Sequence, residues 1–217
     1  VSDKVREVFL TGKSLSPVCK PTQGLATGDN DLFRRNWQEV DLANVGFTGY
    51  EDRKKWFPYN SGGEFRKWYG NQYYFVNWKS NGNEIKNFKD ENGSLRSRPQ
   101  NTNYYFKESI SWSKIASGGL AMRYFPTGFI FDVAGCSIFG NKENLIHLLG
   151  FFNSPLKNPL IASISPTLNF EVGQISNTPI LEIEKHLFYK INGIVEKCIL
   201  IAKKDWNFFE MSWDFEQ

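Results

Sequence analysis

The chain has 217 residues, 41% hydrophobic and 16% aromatic, with 26 Lys and Arg against 23 Asp and Glu for a formal net charge of +3. A chain of this length can fold as one large domain without disulfide or metal staples, and no apolar run approaches the ~18 residues of a membrane span. Cys19, Cys136 and Cys198 are odd in number, far apart and outside any CxxC spacing, which favours reduced thiols in a cytoplasmic protein over a disulfide framework or a zinc site.

The opening VSDKVREVF has no apolar run with a cleavage site behind it, so no secretory signal is expected. Residues 5–10, VREVFL, read as a short strand followed by a turn over residues 11–16. In residues 20–40, Gly24 and Gly28 imply a tight backbone path. The Asp29, Asn30, Asp31 cluster predicts the cap of a helix carrying Phe33, Trp37 and Val40 on one face, flanked by Arg34 and Arg35. The Gly-Thr-Gly path is no phosphate loop, because the Lys-Ser/Thr that would follow it is missing.

Residues 54–79 pack ten aromatic and five basic residues into twenty-six positions, with Glu64 the only acid. Rings that stack beside cations that seek phosphate suit a polyanion carrying flat bases, although Lys and Arg stems also lie along ring edges on ordinary sheets. The stretch reads as a loop through Asn60-Ser61-Gly62-Gly63 leading into a strand near Gln72. Residues 72–78 and 84–88 flank an Asn81-Gly82 gap, which predicts a β-hairpin. Further strands are expected over 103–107, 110–115, 120–125, 129–133 and 137–139. Arg96-Ser97-Arg98-Pro99 forms a second basic loop, and Lys114 and Arg123 lie on or beside strands.

From Asn141 the period changes to 3.6, with Leu145, Leu148, Leu149 and Phe152 on one face of a helix that stops before Pro155. A short helix over 159–164 and a connection over 166–180 follow. Ile183, Leu187, Ile191, Ile194, Cys198 and Ile201 then predict a heptad-like seam on a final helix of about twenty residues. The expected class is α+β: a twisted, mostly antiparallel or mixed sheet over 1–140 with helices over 141–217 packed on it. Charge divides the same way, nineteen basic against thirteen acidic residues in 1–125 and seven against ten in 126–217.

Catalytic patterns are missing. His147 and His186 have no partner at metal or triad spacing, and no GxSxG, HExxH, P-loop or strand-borne GxGxxG occurs. Asp52-Arg53-Lys54 with Asp41 upstream matches a nuclease metal site only in its loosest form.

Taken together, GLATGDNDLFRRNWQEV (24–40), KKWFPYNSGGEFRKWYGNQYYFVNW (54–78), Ser111-Trp112-Ser113 to Gly118-Gly119, LLGFFNSP (148–155), SPTLNFEVGQISNTPI (165–180) and DWNFFEMSWDF (205–215) resemble, in order, the region after the catalytic domain in large adenine-specific DNA methyltransferases of the phage-growth-limitation (BREX) type. A more distant likeness is to the fused restriction-modification enzymes of type IIG. The resemblance implies a target-recognition domain that holds double-stranded DNA while an upstream domain of the same polypeptide, carrying S-adenosylmethionine, methylates an adenine. No catalytic residue, cofactor or metal is expected in this chain itself. Lys54, Lys55, Arg66, Lys67, Arg96 and Arg98 are the phosphate candidates, and Asn30, Asn60, Asn71 and Lys114 the base-edge candidates. Arg34, Arg35, Trp68 and Tyr69 complete the expected DNA-facing set. A carbohydrate- or peptide-binding module built on exposed rings, or a domain that chiefly docks a partner, are the alternative readings.

Overall fold

The computed structural model describes residues 2–15, 18–165 and 167–215; Ser16 and Pro166, at the ends of two expected connections, lie outside them. The chain begins with a helix, α1 (Asp3–Thr11), where a strand was expected. Ser2 accepts from the backbone N–H of Val5 and Asp3 stands in the first turn, two helix-start signals that outweigh the short apolar run. None of its residues is buried.

Two four-stranded sheets carry the fold. The first, in the order β2 (Lys20–Thr22), β9 (Ser137–Phe139), β6 (Ser109–Trp112), β7 (Met122–Phe125), is antiparallel throughout. The second is mixed, in the order β3 (Arg34–Asn36), β5 (Tyr74–Asn77), β4 (Trp56–Asn60), β8 (Ile130–Phe131), with β4 and β8 parallel. A small ladder pairs β1 (Lys13–Ser14) with β10 (Pro179–Ile180). The α+β class is as expected, but several elements differ.

The expected helix over 30–40 is a single turn, α2 (Asn30–Phe33), capped by Asp29. Arg34 leaves it because its backbone joins β5, with Arg34 opposite Val76 and Asn36 opposite Tyr74. The expected hairpin does not form. β5 is already paired on both sides by β3 and β4, so 84–88 has no edge to join. Instead Ser80, Asn81 and Gly82 adopt left-handed conformations and the chain winds into α3 (Lys79–Lys86). A Cβ at Gly82 would meet the Trp78 ring at 2.5 Å, so this turn requires glycine twice over. Residues 102–104 form a 3-10 turn rather than a strand, and β4 occupies part of the expected loop.

Two apolar cores result. One lies between the first sheet and the C-terminal helices, joining Ile110, Trp112 and Met122 to Leu145, Leu149 and Phe152 of α4 (Lys142–Asn153) and Val195, Ile199 and Trp206 of α7 (Lys185–Asn207). Between these helices run α5 (Lys157–Ile164) and α6 (Val172–Ser176). The other core is enclosed by the second sheet, with Phe33, Phe57, Tyr59, Trp78, Ile85 and Tyr105. α4 follows the expectation closely: Asn141 accepts from the N–H of Asn144, and all four predicted apolar residues are buried. On α7 the buried stripe is Asn192, Val195, Ile199 and Trp206, rotated away from the expected seam.

Candidate nucleic-acid interface

The register of the second sheet decides where its cations stand. Arg34 and Arg35 open β3 opposite Val76 and Phe75, and Trp56 opens β4 opposite Asn77, the last residue of β5. One end of the sheet therefore carries the starts of β3 and β4 and the finish of β5. Lys54 and Lys55 enter at that end, and residues 78–98 leave from it.

Cations and rings alternate there. The half-buried Trp56 ring has the exposed Lys55 ammonium 5.3 Å from its centroid and the Arg35 guanidinium, from β3, 5.9 Å away. Arg34 sits 4.2 Å over Tyr74. Arg96 sits 5.4 Å over Phe88, which packs edge-on against Phe33 at the close of α2. Arg98 exchanges backbone hydrogen bonds with Ala26. Gly28 lies against the Arg96 backbone and Gly24 against the Phe131 carbonyl, where added Cβ atoms would meet 2.8 Å and 2.0 Å contacts. The space over these glycines is thus filled by the chain itself, and the loop does not fit a nucleotide-type cofactor.

Arg35, Lys55, Arg96 and Arg98, together with Lys86 and Lys89, have no ion-pair partner among the described residues. Three nearby acids are otherwise engaged: Asp29 caps α2, Glu84 accepts from Asn77 Nδ2 at 2.8 Å, and Asp90 accepts from the N–H groups of Asn92 and Ser94. Asn30 is exposed beside this group and accepts from Thr27 Oγ1 at 2.8 Å. Lys54 bends inward, donating to the Ala43 carbonyl. Lys86, Lys89 and Trp56 were not among the expected contacts. The sequence signal for them was the same ring-and-cation alternation, hidden at Lys86 and Lys89 by the hairpin reading.

The other expected residues are in a different place. Between β4 and β5 the chain crosses to the first core. There Arg66 pairs with Asp205 at 2.7 Å and lies 4.9 Å over Trp206, while Lys67 donates to the Asn153 carbonyl at 2.9 Å. Trp68 is half-buried in a left-handed conformation and locked to β7 by bonds to Met122 and Tyr124. Tyr69 is buried and donates to Gln72. Lys114 pairs with Glu171 at 3.0 Å. Arg123, on β7, is buried without a carboxylate partner among the described residues. It donates to Ser113 Oγ at 3.0 Å and lies near the Glu64 and Arg66 carbonyls, and burial, then the charge of Arg66, pushes its pKa down.

Asn60 has the least freedom of the expected base readers. Its Nδ2 donates to Ser111 Oγ at 2.6 Å and to the Gly135 carbonyl at 3.1 Å, and its Oδ1 accepts from the Gly62 N–H. It is buried where the two sheets meet, and no base edge reaches it. Asn71 is likewise buried and donates to the Glu64 carbonyl. Beside Asn60, burial pushes the Asp132 carboxyl up, although Ser61 and the Ala134 and Gly135 N–H groups hold it down in part. Burial also raises the Cys19 thiol to about 11 and the Cys136 thiol to about 12, so neither is a nucleophile at neutral pH.

Cations without an ion pair among the described residues and a partly exposed indole thus line one end of the second sheet, and comparison with known proteins sets the chain beside adenine-specific methyltransferases. The chain is 40% identical over 207 residues, 93% of its length, to the adenine-specific methyltransferase PglX of Lacticaseibacillus casei (strain Zhang). It is 37% identical over 202 residues, 91% of its length, to the adenine-specific methyltransferase BrxX of Escherichia coli O9:H4 (strain HS). These matches cover 17% and 16% of the two curated relatives, so the chain corresponds to about a sixth of their length. No protein-family pattern matches it. The resemblance read from the sequence is therefore borne out: over nearly all its length this chain is homologous to one segment of such methyltransferases.

Proposed function

We propose that this chain is the target-recognition part of a site-specific adenine DNA methyltransferase of the BREX type, binding double-stranded DNA through the end of the second sheet where β3 and β4 begin. The observation that carries the reading is the set of unpaired cations around Trp56, Phe88 and α2, in a protein homologous to adenine methyltransferases. Phosphate contacts from Arg35, Lys55, Lys89, Arg96 and Arg98 fix the register of the duplex, and Asn30 is the remaining base-edge candidate at this end. Methyl transfer to a flipped adenine belongs to an upstream domain holding S-adenosylmethionine. This chain supplies the grip. The helical part packs on the first sheet, and its C-terminal end reaches the second through Trp213 on Phe75 and the Met211 carbonyl at Trp37 Nε1, which leaves the end where β3 and β4 begin for DNA.

The test is duplex binding over a range of salt concentrations. Five phosphate contacts predict a log-log slope of about −4.5, and a flat response removes them. The carbohydrate- or peptide-binding alternative predicts binding indifferent to salt and dependent on Trp56 alone.

A further inference from the structure

The face of α7 turned away from the first core carries two rows that take no part in either core among the described residues. Leu187, Ile194, Ile201 and Phe208 recur every seven residues and are 41%, 54%, 70% and 72% exposed. Lys190, Lys197 and Lys204 recur at the same interval, three residues after each of the first three, and all are exposed. Seven residues advance about 10.5 Å along a helix and rotate each row by only ~20°, so the rows run side by side along nearly the whole helix.

Neither row is explained by the fold. None of the three lysines has an ion-pair partner among the described residues, and of the acids on α7, Asp205 is held by Arg66. Five of the seven basic residues in 126–217, where acids are in excess, lie on this one helix. Gly193, beside the lysine row, is exposed, and a Cβ there would meet nothing within 4 Å. Its missing Cβ leaves that side of the helix open, and no described part of this chain fills the space.

We infer that this face of α7 docks an amphipathic helix whose apolar stripe is flanked by Glu or Asp. The partner's stripe covers Leu187, Ile194 and Ile201, and its acids meet Lys190, Lys197 and Lys204. Charge complementarity selects this occupant over a second copy, because antiparallel self-pairing would set one lysine row against the other. The surface is separate from the proposed DNA-binding end, so either assignment can fail without the other.

The test uses the full chain and two synthetic helices of about three heptads with the same leucine stripe, one flanked by glutamates and one by lysines. The glutamate peptide is expected to bind saturably, and the lysine peptide about tenfold more weakly or worse. Ile194→Asp with Ile201→Asp, both on exposed positions, is expected to cost at least about tenfold with the circular-dichroism melt unchanged. Reversing Lys190, Lys197 and Lys204 to Glu should transfer the preference to the lysine peptide. The proposal is overturned if neither peptide binds, if both bind alike, or if the double aspartate variant retains affinity. A wild-type dimer dissolved by Ile194→Asp in sedimentation velocity would give the face to a second copy and overturn it as well.

Discussion

The two sheets treat the same kind of residue in opposite ways. Around the first, cations are spent within the fold: Arg66 on Asp205 and Trp206, Lys67 on the Asn153 carbonyl, Lys114 on Glu171. Around the second, Lys55 and Arg96 are exposed and meet aromatic rings, and the half-buried Arg35 adds to its ring only the Asp31, Leu32 and Arg34 carbonyls, with no ion pair among the described residues. Yet Lys55 and Arg66 are eleven residues apart in one basic, aromatic run. The run divides because the chain crosses from one core to the other at Asn60, so nearness in sequence says little about which charges share a surface.

The largest expected effect comes from removing the unspent charges. Arg35→Gln, Lys55→Gln, Arg96→Gln and Arg98→Gln together should weaken duplex binding on the order of a thousandfold at 0.1 M salt, without moving the melting temperature. The crossing point is the next place to break the contrast. Asn60→Ala leaves the Gly135 carbonyl and the Gly62 N–H without their partner and should cost about 2–3 kcal/mol in urea unfolding, with DNA affinity per folded molecule preserved.

Smaller effects belong to the helical side. Gly193→Ala should stabilise the free chain by about 0.5–1 kcal/mol, since a methyl there meets nothing. His147, stacked on Phe188 at 4.7 Å, is held below the ordinary imidazole range by burial. The unfolded chain therefore takes up this proton first. Stability from His147 is present at neutral pH and lost as pH falls below about 6.5. His147→Phe should flatten that part of the pH profile of the urea midpoint.

What the sequence disclosed follows from locality. α4 was legible because its cap, its buried face and its stop at Pro155 are all written within fifteen residues. β4 was not, because Pro58 argues against a strand; β8 reaches only Tyr59 and Asn60, so that side of the strand is open at Pro58. Asn81 and Gly82 do take the left-handed conformations that a hairpin would use, but two strands distant in sequence had already claimed β5. On α7, hydrophobicity marked Leu187, Ile194 and Ile201, whereas burial includes Asn192, whose Nδ2 donates to the Glu143 carbonyl, a contact no apolar pattern can flag. The exposed cations could not be sorted from the paired ones for a similar reason. Asp205 lies 139 residues from Arg66 and Glu171 lies 57 from Lys114.

Which cations face the duplex is read most directly from the salt dependence of binding in three proteins. The wild-type chain should show a slope of about −4.5, the Arg35, Lys55, Arg96, Arg98 variant about −1, and an Arg66→Gln, Lys114→Gln variant the wild-type value. A flat wild-type response, or a slope that collapses in the Arg66, Lys114 variant while surviving in the other, contradicts the account.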